Sequence, residues 1–459
     1  MGAPFDVLTT TAADLRALLE DGSTTCVALV ETYLAQIEKH NHAGAKLHAM
    51  ISLAPKDQLL AIARGLDEER SAGKARGPLH GIPIIVKDAF ATDPALGMPP
   101  TIGSYALLDS RPKQNASAVE ALIQNGLIIL GKSNLTAPGG LSTGSAVGVA
   151  AGFSPVSLGT ETSGSLTSPA NRAALYALKL TPGSVSMEGV WEVARSYDTA
   201  GAMAKNVIDL VHVSDILRHT IGDCKPSLTE NIQNTWRGLS VGFVNIEKWR
   251  LPLDTEDPLP EYFLAVDKIC EHGGRVVHPV HITPPKEYIV DEDGGIVDDL
   301  MDDVMKSQAR EGCEKYLSSL AYTKVHNLKD IIELNDSNVA TEFDETLDMS
   351  MPADERERKL QICRQWAATE GVDKVILEHE VDVIVGPCDS FFAGVGVGAQ
   401  YPLASIPFGY VESSGRPYGW HVIASAHEEG KIVSFMSAWE SIWPVRRIPD
   451  LAAAAGSIL

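Results

Sequence analysis

Apolar positions in the first forty residues recur at helical spacing. Thr11 is placed to cap a helix carrying Leu15, Leu18 and Leu19, and Gly22 to end it. Ser23 or Thr24 then opens a second helix, with Leu29, Tyr33, Leu34 and Ile37 on one face. Further on the period changes. Ile82 to Val86 and Leu127 to Leu130 are continuous apolar runs, which predicts buried strands. Between them Ser117 to Asn125 has helical spacing and stops at Gly126. Strand, helix, strand predicts a parallel α/β unit. Leu239 to Val244, Arg275 to Val280 and Val381 to Val385 predict more strands, and helical patterns lie between, including Met203 to Leu217 and Lys431 to Ser441. No internal repeat or low-complexity linker divides the chain. Residues 1–459 are expected to form one domain, with the most polar stretch, about 285–360, as a peripheral helical insertion.

Composition narrows the partners. A net charge of −22, with no basic patch, opposes binding to a polyanion, so no nucleic-acid partner is expected. No run of eighteen apolar residues exists, so no membrane span is expected. The opening MGAPFDVLTT lacks a basic-then-apolar leader, and Asp6 stands where myristoylation needs Ser or Thr. The six cysteines are scattered without a C-x-x-C pair, which fits free thiols in a reducing, cytoplasmic setting. The acidic run DEDGGIVDDLMDDVM fails the EF-hand pattern, because Gly295 and Ile296 occupy loop positions 5 and 6 counted from Asp291. Its Asp298/Asp302 and Asp299/Asp303 pairs read as a solvated helix face. The thirteen histidines show no metal-ligand spacing, and neither a P-loop nor G-x-G-x-x-G occurs, so no metal or cofactor is implied.

Candidate chemistry concentrates in two segments. Gly139 to Ser165 reads GGLSTGSAVGVAAGFSPVSLGTETSGS and ends on a serine framed by small residues. A glycine-rich turn brings backbone close to a ligand and aims several N–H groups at one point. A serine at its end can act as a nucleophile beside its own oxyanion donors. Upstream, GIPIIVKDAF places Lys87 after an apolar run. Burial disfavours an ammonium and lowers its pKa toward that of a useful base. The bland alternatives are a strand-end Lys87 paired with Asp88, and a Ser165 that caps the helix Pro169 helps to start. Gly140-Leu141-Ser142-Thr143-Gly144 also fits the G-x-S-x-G elbow, with His421 and Asp389 as conceivable partners, but Thr136 to Gly139 make a poor strand. The S-x-x-K from Ser71 to Lys74 reads as chance, and His80 as structural.

These segments lie within a longer ordered series. GPLHGIPIIVKDAF, AVEALIQNGLIILGKSNL, SAVGVAAGFSPVSLGTETSGSLTSPANRAALYALKLTPGSVSMEGV, SYDTAGAMAKNVIDL, YPLASIPFGY and GRPYGWHVIASAHEEGKIV resemble, in that order, blocks of the amidase signature family. The resemblance covers nearly the whole chain. It implies an α/β fold with a large mixed β-sheet surrounded by helices. It implies hydrolysis of an amide or ester bond of a small to medium organic substrate through an acyl-serine. Carried over by motif, Ser165 takes the nucleophile position, Lys87 the base position, and the backbone of Thr162, Ser163, Gly164 and Ser165 the oxyanion region, with Gly140 and Leu141 nearby. The family's bridging serine, on a cis peptide, falls 24 positions before the nucleophile. That position here is Leu141, which can carry no proton, so Ser142 is the provisional relay, or a water takes its place. The alternative implied by Leu141 is a diverged member that has lost hydrolysis and performs acyl transfer, cyclisation or isomerisation, or only binds a ligand. The link from GKSNLTA to PGGLSTG is shorter than in relatives, which reshapes the substrate channel. Ser163, Thr167 and Ala202 also depart from the usual Gly or Asp, Arg, and Pro. The sequence leaves substrate identity and oligomeric state open, a homodimer among the options.

Overall fold

The computed structural model describes residues 5–136, 140–222, 226–249, 259–337, 349–443 and 446–456. Its strands are β1 (Met50–Leu53), β2 (Pro83–Lys87), β3 (Arg111–Pro112), β4 (Ile128–Ser133), β5 (Val156–Glu161), β6 (Tyr176–Lys179) and β7 (Thr199–Ala204). They continue with β8 (Ser240–Val244), β9 (Arg275–Val280), β10 (Leu320–Tyr322), β11 (Val383–Pro387), β12 (Leu403–Tyr410) and β13 (Pro417–Ile423). Eleven form one mixed sheet in the order β1-β4-β2-β5-β7-β6-β12-β13-β11-β8-β9, and β3 pairs with β10. Helices cover the sheet, as the α/β pattern predicts.

The apolar run before Lys87 is buried along its whole length because β2 lies in the interior of the sheet, between parallel β4 and β5. Parallel strands deliver their carboxyl ends to one rim, where ligands of such sheets bind. Lys87, Ser133 and Glu161 therefore end their strands together, with Lys87 in register with Ser133. On the other side of β5, β7 runs back antiparallel, placing Gly159 opposite Gly201. That pair opens a hollow. A Cβ on Gly159 would come within 2.7 Å of Leu166 Cδ1 and 2.8 Å of Ser142 Oγ, and one on Gly201 within 2.4 Å of Leu166 Cδ2.

Most predicted elements form where the pattern put them, with shifted ends. The helix after β3 spans Ser117–Gln124, and Gly126 follows in a left-handed conformation. The first helix is capped by Thr11 as expected, whereas Thr25, not Ser23 or Thr24, caps the second. Met203 to Leu217 is not one helix. Met203 lies in β7, and the helix starts at Val207 behind an Asn206 cap. Ala-rich β7 is too short to show a clear period of two, and Asn206 is the signal that marks the true start.

The polar stretch is helical, with helices Val297–Ser319, Leu328–Ser337 and Ala353–Arg364, while 338–348 lie outside the described residues. Asp302 and Asp303 face Lys306 and Lys359 at 2.8 and 2.6 Å. Helix Val297–Ser319 is not confined to the surface. It buries Val304, Cys313 and Tyr316 and docks on the segment 190–198. Gly312 permits that approach, since a Cβ there would meet the Glu192 carbonyl at 2.2 Å, and the Gln308 side-chain amide accepts the Ser196 N–H at 2.9 Å and donates to the Ser196 hydroxyl at 2.8 Å. Among the described residues no helix is long and apolar enough to cross a membrane. Cys26, Cys313, Cys363 and Cys388 are buried free thiols and Cys270 is exposed, while Cys224 lies outside the described residues.

Candidate active site

Lys87 is completely buried at the end of β2. Its amine donates to the Gly140 carbonyl and, at 2.8 Å, to the Thr160 hydroxyl. Among the described residues it makes no ion pair. Asp88, the neighbour that could have neutralised it, turns away and pairs with Lys132 of β4 at 3.1 Å. Thr101 Oγ1 and the Gly103 N–H complete the hydrogen bonding of Asp88. With no carboxylate in contact, burial pulls the Lys87 amine down to about 7, against a smaller opposing pull from Asp198 and Glu161. An amine in that state can accept a proton at neutral pH.

The turn from Glu161 to Leu166 lies above the same rim. Gly164 has φ +78, the left-handed conformation that closes it. The backbone N–H groups of Thr162, Ser163, Gly164 and Ser165 donate to no acceptor among the described residues. Four successive free N–H groups can receive a negatively charged oxygen, and losing one such donor typically costs about 3 kcal/mol of transition-state stabilisation. Ser165 is half-buried, and its hydroxyl has no partner among the described residues.

Two buried carboxylates fix the turn. Glu161 Oε2 accepts the N–H groups of Leu166 and Thr167 at 2.9 and 2.7 Å, at the start of helix Thr167–Arg172. Asp198 accepts the Thr162 hydroxyl at 2.5 Å and the N–H groups of Val193 and Ala194 at 2.6 and 2.9 Å. Burial pushes Asp198 up to about 7, although these hydrogen bonds pull the other way. Thr160, Glu161 and Asp198 escaped the reading of the sequence. Their signal there is slight: polar residues in or beside buried strands, which require partners without naming them.

Ser142 is buried below the turn. Its N–H donates to the Ser165 carbonyl at 2.7 Å and its hydroxyl to the Thr160 carbonyl at 3.2 Å. That hydroxyl bonds neither the Lys87 amine nor the Ser165 hydroxyl. Ser142 is also the cap residue of helix Thr143–Ala150. Leu141 is half-buried, and its N–H donates to Thr136 Oγ1 at 3.0 Å. Among the described residues the single cis peptide precedes Pro279, so Leu141 and Ser142 follow trans bonds. The elbow reading of Ser142 finds no partners among the described residues. Asp389 is engaged by Arg172 and Arg416, each at 2.9 Å, and buried His421 bonds neither Asp389 nor Ser142. The two residues that the motifs set in the most suggestive places, Lys87 and Ser165, thus flank one polar rim, joined through Thr160 and Ser142.

The fold and the proteins it matches define an amidase-type hydrolase. The family model described as Amidase matches residues 28–137 and 136–394, and the chain belongs to that family. The chain is 29% identical, over 96% of its length and 86% of the relative's, to a Schizosaccharomyces pombe protein named "Putative amidase C869.01". Among solved structures, the peptide amidase of Stenotrophomonas maltophilia superposes with a TM-score of 0.85 at 27% identity, covering 98% of this chain and 100% of that one. An amidase family protein from Bacillus anthracis shares the fold with a TM-score of 0.83 at 24% identity, covering 97% of this chain and 93% of that one.

Proposed function

We propose that this amidase cleaves an amide, or ester, bond of a small to medium organic substrate through an acyl-enzyme on Ser165. The neutral Lys87 amine is the base. The N–H groups of Thr162 to Ser165 hold the oxygen that becomes negative as Ser165 attacks the carbonyl. The amine then returns its proton to the leaving nitrogen, and water releases the acyl group. The observation that carries this reading is a fully buried lysine amine with no carboxylate in contact, beside a turn of four unused N–H groups. Likeness to a peptide amidase over nearly the whole chain makes peptide amides the first substrates to try. Buried free thiols fit a reducing, cytoplasmic setting.

A fluorophosphonate probe tests the mechanism. Labelling at Ser165 that disappears in Lys87→Ala supports it. A second reading rests on Leu141, which puts no hydroxyl where the family resemblance places a bridging serine. On that reading the scaffold has lost hydrolysis, and the folded protein takes no label at Ser165.

A further inference from the structure

If Ser165 is the nucleophile and Lys87 its base, a proton must cross between them, and the rim offers few carriers. Six hydroxyls lie on or beside the nucleophile turn: those of Ser142, Thr160, Thr162, Ser163, Thr167 and Ser168. Only Thr160 touches the lysine amine, at 2.8 Å. Ser142 is committed elsewhere, its hydroxyl held by the Thr160 carbonyl and packed above Gly159. Thr162 is held by Asp198. Leu141, next to the Gly140 carbonyl that takes another amine N–H, has no hydroxyl to offer.

We propose that the Thr160 hydroxyl is the proton carrier between Ser165 and Lys87. This deepens the reading of Ser165 and Lys87 as nucleophile and base, and rests on it. A threonine hydroxyl can accept and donate at once, and it rotates to suit its partners. Facing an ammonium it accepts, while facing a neutral amine it donates to the lone pair. Among the described residues Thr160 Oγ1 has no hydrogen-bond partner besides Lys87, and the Ser165 hydroxyl has none, so each retains capacity for the other. Both residues are anchored to Ser142, which binds the Thr160 carbonyl through its side chain and the Ser165 carbonyl through its N–H. Thr160 is also 8% exposed, buried enough that solvent competes little for its proton.

The step balances. As Ser165 Oγ bonds the substrate carbonyl carbon, the Ser165 O–H bond breaks and its proton passes to Thr160 Oγ1. The proton that Thr160 held passes to the Lys87 lone pair, leaving an ammonium. On collapse of the adduct the Lys87 ammonium returns a proton to Thr160 Oγ1, and Thr160 passes the one it held to the leaving nitrogen as the C–N bond breaks, while Ser165 Oγ stays in the acyl ester.

The test compares fluorophosphonate labelling rates at Ser165 in folded Thr160→Val, Thr160→Ser and Lys87→Ala. Thr160→Val keeps the shape and removes the hydroxyl, while Thr160→Ser keeps the hydroxyl and removes a methyl. The expected result is a fall of about 100-fold or more in Thr160→Val and less than about 10-fold in Thr160→Ser, in the range of lost acid–base participation. Thr160→Val labelling at the rate of the unaltered protein overturns the proposal and leaves the Ser165–Lys87 reading intact. Equal losses in Thr160→Val and Thr160→Ser also overturn it, because they assign the effect to packing of the methyl. Undiminished labelling of Lys87→Ala overturns instead the reading on which the proposal rests.

Discussion

Whether Lys87 can act as a base was decided by its neighbour. A lysine followed directly by an aspartate reads most simply as half of an ion pair, and here the pair exists but belongs to Lys132. Removing one partner of a buried pair strands the other charge, at a cost of about 3–5 kcal/mol. Lys132→Met should therefore lower stability by that amount in urea unfolding, and any label retained at Ser165 should weaken as freed Asp88 competes for the Lys87 amine. Asp198 makes a second residue-scale prediction. Its carboxylate accepts three hydrogen bonds, including that of Thr162 in the turn proposed to hold the oxyanion. Asp198→Asn replaces one acceptor oxygen with a donor facing donors. On the proposed mechanism the groups Asp198 orders act on the transition state, so the variant should lower kcat by about 10-fold or more with little change in KM. Steady-state kinetics on a peptide amide would show the split.

At the scale of elements, the site is a consequence of where strands end and where side chains are missing. The glycine pair on β5 and β7 lets Leu166 and Ser142 sink against the sheet and seat the turn between them. Gly159→Ala would overpack that hollow, at about 1–3 kcal/mol. Labelling at Ser165 should fall much further than thermal stability does. The sequence made much of this frame legible. Continuous apolar runs marked β2 and β4, and the glycine-rich segment marked the turn, because burial and left-handed backbone impose composition locally. Thr160 and Asp198 were not legible. Asp198 meets Thr162 across 36 residues of chain and Lys132 meets Asp88 across 44, and no local pattern encodes those separations. Ser142 shows the opposite limit. Its place in the chain suggested a proton carrier, but the side chain points at a backbone carbonyl.

At the scale of the molecule, the most polar stretch of the chain packs against the segment that supports the site. Helix Val297–Ser319 rests on the segment 190–198, which carries the Asp198 that holds Thr162 at the start of the Glu161–Leu166 turn. Gly312→Ala would press on the Glu192 carbonyl and tilt that support. Activity and melting temperature should both drop, because the clash is with backbone that has to shift, and scanning calorimetry alongside turnover of a peptide amide measures the two. The −22 charge has a further consequence. An anionic substrate should bind more weakly as salt is lowered, because long-range repulsion is then less screened.

All of this turns on an uncharged Lys87. The sign is simple: the amine accepts a proton only when neutral, and it is neutral above about 7. The decisive measurement is the rate of fluorophosphonate labelling at Ser165 as a function of pH, in the unaltered protein and in Lys87→Ala. The account predicts a rate that rises through a midpoint near pH 7, reaches a plateau by about one unit higher, and vanishes in the variant. A rate that stays flat from pH 5 to 9, or that survives the loss of Lys87, would contradict it.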